Sequence, residues 1–150
     1  MKTDRGVVSL GKTVLAVEVA NDAIKIVQAD ISKRSGAISK IHVQRLDDGN
    51  APSASAVIEA LKNGGFARVP VIAVLPRQMV NIRMLEFPSV DPKEIADMVE
   101  LQVGRQTPYS RDEIVIDFKI LKSEREGYSR VMLVIVQSMM VRHRFGLLEE

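Results

Sequence analysis

Residues 100–121, ELQVGRQTPYSRDEIVIDFKIL, change their hydrophobic period part-way through. Up to Val103 the apolar residues recur at spacings of three and four: Ile95, Met98, Val99 and Val103 mark the buried stripe of an amphipathic helix. Gly104 and Thr107-Pro108 are its stop signals. From Glu113 onward the period is two: Ile114, Ile116, Phe118 and Ile120 alternate with Glu113, Val115, Asp117 and Lys119, the pattern of a strand with one face buried. A helix, a Pro-aromatic turn and a half-buried strand follow one another without a catalytic group among them. That points to a scaffold that binds something.

The flanks complete one unit. On the N-terminal side Asp91 can cap the helix, Pro92 suits its first position, and Glu94 can reach back as in a capping box. Before it, residues 79–87 (MVNIRMLEF) read as a strand. On the C-terminal side residues 124–127 make a polar turn, and residues 130–136 (RVMLVIV) read as a strand buried on both faces. The order is β-α-β-β. Residues 138–150 then show helical spacing at Val141, Phe145 and Leu148, with Gly146 costing about 1 kcal/mol relative to alanine.

The first half has a different order. Residues 14–19 (VLAVEV) are β-branched and apolar on both faces, Asn21-Asp22 is a turn pair, and residues 23–30 resume as a second strand. A polar turn at residues 32–36 leads to a third strand over 37–46, which makes an antiparallel meander. The loop at 47–55 ends in helix-capping residues. The helix that follows presents Val57, Ile58 and Leu61 on one face, and Gly64-Gly65 stops it. Residues 69–75 (VPVIAVL) are an apolar strand, which after a helix is expected to lie parallel to its neighbour. The whole chain is thus mixed α/β: β-β-β-α-β, then β-α-β-β, then a helix.

Composition excludes several functions. The chain of 150 residues is 46% apolar, enough for a real core, and its 21 basic and 19 acidic side chains leave a net charge of only +2. That balance, with 4% aromatics, argues against nucleic-acid binding. Without cysteine there is neither a disulfide nor a thiolate metal site, which fits a reducing compartment. The apolar run at 14–19 is interrupted by Glu18 and too short for a signal peptide or membrane span, so the expectation is a soluble, cytoplasmic chain.

Candidate chemistry is sparse. His42 and His143 have no metal-ligand spacing around them, and the serines lie in loops without a nucleophile-elbow pattern, so catalysis is not supported. Glu18, among apolar strand residues, reads as a sheet-rim carboxylate satisfied by Lys25 or water; the rival reading is the remnant of a phosphate or metal site. The basic run Arg142, His143, Arg144 reads as a solvated face, and Met139-Met140 as core filler or an adaptable binding surface.

Four stretches carry a resemblance: residues 15–29 (LAVEVANDAIKIVQA), 71–88 (VIAVLPRQMVNIRMLEFP), 91–121 (DPKEIADMVELQVGRQTPYSRDEIVIDFKIL) and 131–141 (VMLVIVQSMMV). Together they resemble the first half of the PilM family of type IV pilus assembly proteins, related to the cell-division protein FtsA and the cytoplasmic part of the type II secretion protein GspL. The third stretch, with its Pro108-Tyr109 turn and the strand start at Asp112-Glu113-Ile114, is the most specific. The resemblance implies an actin-like (ribonuclease H-like) core with an inserted subdomain. The parts are a loose tail over 1–12, the core over 13–76, the insert over 77–137, and a helix returning to the core over 138–150. The chain stops without a C-cap or closing strand, and the reading takes it as cut short relative to that architecture.

The resemblance also implies a function. It is that of a cytoplasmic adaptor, peripheral to the inner membrane through its partners, that binds the N-terminal cytoplasmic peptide of a PilN-like membrane protein. The implied groove between core and insert draws in Arg77, Arg83, Met98 and Gln102. Pilus assembly ATPases and self-association are further implied partners. The rival is an actin-like ATPase with Glu18, Asn21 and Lys25 around the phosphates, binding ATP and magnesium in a full-length protein; type II secretion and cell division are rival settings for the adaptor. The family's Asp-x-Gly-Ser-type turn is replaced here by Glu18-Val19-Ala20-Asn21, and Cβ-bearing residues restrict a loop that must cradle phosphates. No cofactor is therefore expected for this stretch of chain.

Overall fold

The computed structural model describes residues 13–31, 36–46, 52–123 and 127–149. The chain divides into two units: Met1–Pro76 with Arg144–Glu150, and Arg77–His143.

In the first unit, β1 (Thr13–Val19), β2 (Ala23–Ile31) and β3 (Gly36–Arg45) form the expected antiparallel meander. Helix α1 (Ala54–Asn63) follows, and β4 (Val71–Val74) pairs parallel to β1, giving the sheet order β3-β2-β1-β4. Leu15, Val17, Val19, Ile24 and Ile26 bury one face of this sheet against Val57 and Ala60 of α1. Each such side chain contributes about 1.5–3 kcal/mol when fully buried.

Local chemistry sets the ends of α1. Ser53 Oγ accepts the Ala56 N–H at 3.3 Å, and the Gly64 N–H returns to the Ala60 carbonyl at 3.0 Å. Gly65 then takes the left-handed conformation, φ +60°, that lets the chain turn away. One sequence expectation needs correcting here. Ile58 is exposed, because at 100° per residue the stripe centred on Val57 and Ala60 leaves it on the flank. The apolar strand β4 is an edge strand, with Val71, Ile72 and Val74 exposed. The polar turns expected at 32–36, 47–55 and 124–127 fall mostly outside the described residues.

The second unit opens on a single 3₁₀ turn, Arg77–Met79, and continues through β5 (Asn81–Phe87), α2 (Pro92–Gln106), a second 3₁₀ turn at Arg111–Glu113, β6 (Ile114–Ser123) and β7 (Ser129–Gln137). Its sheet order is β5-β7-β6, all antiparallel, so β7 is central as its apolar run requires. Val131, Leu133 and Ile135 of β7 pack with Ile95, Val99 and Val103 of α2, and Phe87 and Ile114 close the cluster.

Asp91 caps α2 as expected, its Oδ1 accepting the Lys93 N–H at 2.8 Å. Glu94 does not complete a capping box. The Asp91 N–H goes instead to Ser89 Oγ at 3.0 Å, and that hydroxyl donates to Glu94 Oε2 at 2.6 Å, so buried Ser89 stands between the two. Gly104 lies inside the helix, which stops only at Gln106. The last helix, α3 (Ser138–Gly146), also departs from the expected stripe: Phe145 is exposed and Arg144 is the buried residue.

Candidate functional site

The β1–β2 turn of the first unit is closed by its own side chains. β1 and β2 place Glu18 opposite Lys25, and Lys25 Nζ meets Glu18 Oε1 at 2.6 Å. That hydrogen bond, followed by the carboxylate's charge, raises the lysine pKa above its ordinary value. Asn21 is taken by a residue 123 positions away: its Oδ1 accepts from Arg144 Nη2 at 2.7 Å. Arg144 is only 7% exposed, its Nε and Nη1 have no partner among the described residues, and burial pushes its pKa down. The basic run at 142–144 is therefore not one solvated face.

The backbone of that turn is equally unsuited to an anion. A phosphate-cradling nest pairs right-handed with left-handed residues. Among the described residues no non-glycine has positive φ, and the turn contains no glycine. Ala20 is buried, with its N–H bonded to the Ala23 carbonyl at 2.9 Å. Glu18, Asn21 and Lys25 thus lie close together, each in contact with protein.

The second unit presents a different surface. Beside its buried stripe, α2 carries a second one, Met98, Leu101, Gln102 and Arg105, at the i, i+3, i+4, i+7 spacing of a single helix face. These four residues line a cavity of about 400 Å³ together with Phe87 and Pro88 at the end of β5. Leu101 is 79% exposed. A second cavity of about 420 Å³ lies at the other end of β5, lined by Met79, Asn81, Tyr109, Ile135 and Met140 among others. Tyr109 also borders a third, of about 790 Å³, with Asp112, Glu113, Met139, Arg142 and His143.

The Pro-aromatic turn is fixed by short-range bonds. The Tyr109 N–H donates to Thr107 Oγ1 at 3.3 Å. Glu113 Oε2 accepts both the Ser110 N–H (2.9 Å) and hydroxyl (2.7 Å), which holds the Glu113 carboxyl below the usual range. Asp112 is lowered too, first by the Ser110 hydroxyl and then by its own backbone N–H. Arg111 grips Glu100 of α2 through two bonds of 3.2 Å, which ties the turn to the helix. The cavity of about 790 Å³ is thus lined by the acidic Asp112 and Glu113 as well as by Arg142 and His143. Among the described residues no group of three or more His, Asp or Glu is placed to hold a metal ion.

Of the side chains expected in a peptide groove, Met98 and Gln102 come together in the smaller α2 cavity. Arg83 is exposed on β5, and Arg77 turns back to donate from Nη1 to the Val80 carbonyl at 2.7 Å. Leu101 and Tyr109 were not anticipated as site residues. Leu101 left a signal, being a large apolar residue out of phase with the buried stripe.

In fold, the chain resembles a component of the PilM-PilN type IV pilus biogenesis complex. The two align with a TM-score of 0.74 and 21% identity over 91% of this chain and 44% of that one. It also resembles the cytoplasmic domain of EpsL, an inner membrane component of the type II secretion system of Vibrio cholerae, with a TM-score of 0.57 and 16% identity over 91% of this chain and 52% of that one. The chain spans about half the length of these two structures. No family model and no curated protein matches the sequence. Like the pilus and EpsL structures, the chain is mixed α and β, here with two sheets and three helices among the described residues. No helix among those residues is long and apolar enough to cross a membrane.

Proposed function

We propose that the chain is part of an adaptor in a type IV pilus or type II secretion machine, stationed at the cytoplasmic side of the inner membrane. There it holds the N-terminal cytoplasmic tail of a PilN-like membrane protein. The observation that carries this reading is the fold likeness, over nine-tenths of the chain, to a component of a complex in which PilM is joined to PilN. We read the first unit as an actin-like core, on the strength of its meander, helix and parallel fourth strand, and the second as an insert into it. The surface of α2 supports the adaptor role. A second stripe that ends in an open cavity, with Leu101 fully presented, is what an apolar peptide side chain requires.

Nucleotide chemistry has less support in this stretch of chain. The three candidate phosphate contacts are engaged with protein, and their turn has no left-handed residue. The adaptor needs no cofactor here; a site for ATP and magnesium belongs to the rival reading of a full-length protein. Calorimetric titration with a synthetic peptide of about the first dozen residues of the PilN-like protein from the same genome tests the proposal. Saturable binding with a Kd of roughly micromolar order is the expected result. No heat from a protein shown to be folded by circular dichroism, with no thermal shift from the peptide, counts against it.

A further inference from the structure

Among the described residues, strand β5 (NIRMLEF) is the outermost strand with the least interrupted pairing in the two sheets. An outermost strand offers unpaired N–H and C=O groups, and proteins ordinarily blunt such edges with shortness, prolines, bulges or lysines. Four strands are outermost here: β3 and β4 in one sheet, β5 and β6 in the other. β4 has four residues and lies between Pro70 and Pro76. The pairing of β3 shifts register at Gln28/Ala29, and Lys40 and Arg45 lie along it. The pairing of β6 shifts between Ile120 and Lys122, and its Phe118 N–H is already taken by the Asp117 carboxylate at 2.8 Å.

β5 carries the charged Arg83 and Glu86 but has no bulge, flanking-proline pair or lysine. Its register runs unbroken from Asn81 opposite Ile135 to Phe87 opposite Ser129, and it contains neither proline nor lysine. The same register puts Asn81, Arg83, Leu85 and Phe87 on the face that α2 covers, because Leu133 and Val131, opposite Arg83 and Leu85, belong to the core beneath α2. Asn81 lines the cavity at one end and Phe87 the cavity at the other. Six residues of extended chain span about 20 Å.

Charge selects the occupant. Glu86 on the opposite face is paired with Arg130 at 3.2 Å. Arg83, exposed between the two cavities, and Arg105, at the rim of one, have no ion-pair partner among the described residues.

We propose that β5 takes an extended segment of the partner protein as an added strand. Main-chain hydrogen bonds run along the edge, apolar side chains enter the cavities at both ends, and a carboxylate between them meets Arg83. This rests on the adaptor reading and specifies its mode: the tail is bound as a strand, not as a helix in a groove.

Residue-resolved amide hydrogen exchange on the whole chain, with and without the peptide named above, tests it. Alternate amides of β5 should slow by roughly tenfold or more, while those of β6 stay unchanged. Arg83→Glu should weaken binding by roughly tenfold with the circular dichroism spectrum unaltered. Saturable binding that leaves β5 exchange unchanged overturns strand addition and leaves the adaptor reading standing. Absence of binding in calorimetry and exchange alike overturns both. Protection of β5 that needs no peptide and grows with protein concentration assigns the edge to a second copy, and also overturns the proposal.

Discussion

The two units handle exposed polar groups in opposite ways. In the first, the β1–β2 turn satisfies itself: Lys25 neutralises Glu18, and Arg144, reaching back from the far end of the chain, holds Asn21. In the second, α2 leaves a stripe of four side chains facing an open cavity, and the neighbouring β5 leaves seven residues of backbone edge without a bulge or lysine. A closed turn favours stability, and an open edge with cavities at its ends favours an incoming chain. On the proposed reading binding belongs to the second unit, although the first contains the residues that the family resemblance links to a nucleotide.

The largest effect should come from Leu133→Ala. This side chain is fully buried on the central strand beneath α2, and its truncation should cost about 2–5 kcal/mol in urea denaturation. Peptide binding should fall with it, because β5 hangs on β7. If binding survives intact at full unfolding of this unit, the placement on the second unit is broken.

A sharper contrast lies at the other site. Asn21→Ala strips a buried guanidinium of its only described partner and should destabilise by about 1–3 kcal/mol. Arg144→Met removes the guanidinium itself and should cost less than Asn21→Ala. Both variants should bind peptide as the parent chain does, which calorimetry can check.

Asp91→Ala removes the α2 cap and should cost about 1 kcal/mol, visible as a lowered urea midpoint. The smallest effect concerns pH. The Lys25 pKa is raised in the folded chain, so its contribution is fully present below the unfolded lysine value and is lost as pH rises through the folded one. The Tm difference between the parent chain and Glu18→Gln should therefore shrink as the solution passes into the alkaline range of lysine titration. Glu113 behaves inversely: with its pKa lowered, its contribution is present above the unfolded carboxylate value and fades as pH falls, a fading that Ser110→Ala should reduce but not abolish, because the backbone N–H at that position remains.

Much of this fold was legible because its signals are local. The alternation from Ile114 to Ile120, the Asp91-Pro92 cap and the Gly64-Gly65 stop each depend on neighbours a few residues apart, and each gives the element it announces. What was not legible depends mostly on distant partners. Nothing near Arg144 signals that it is buried, because Asn21 lies 123 positions earlier. The exposure of β4 depends on its place in the strand order, which its apolar composition does not encode. Glu94 is a local exception: its capping-box role goes to nearby Ser89, whose hydroxyl takes the same N–H. At the candidate site Met98 and Gln102 were drawn into a groove by the family resemblance and not by a helix-face pattern, and the gathering of Met79, Tyr109 and Met140 around one end of β5 was not legible.

The most direct test of the account is amide and methyl chemical-shift mapping on the labelled chain as the PilN-like peptide is added. The account predicts that the perturbed signals belong to β5, the second stripe of α2 and Tyr109, with the β1–β2 turn silent. Perturbations clustered instead at Glu18, Asn21 and Lys25 would contradict it and return the binding site to the first unit.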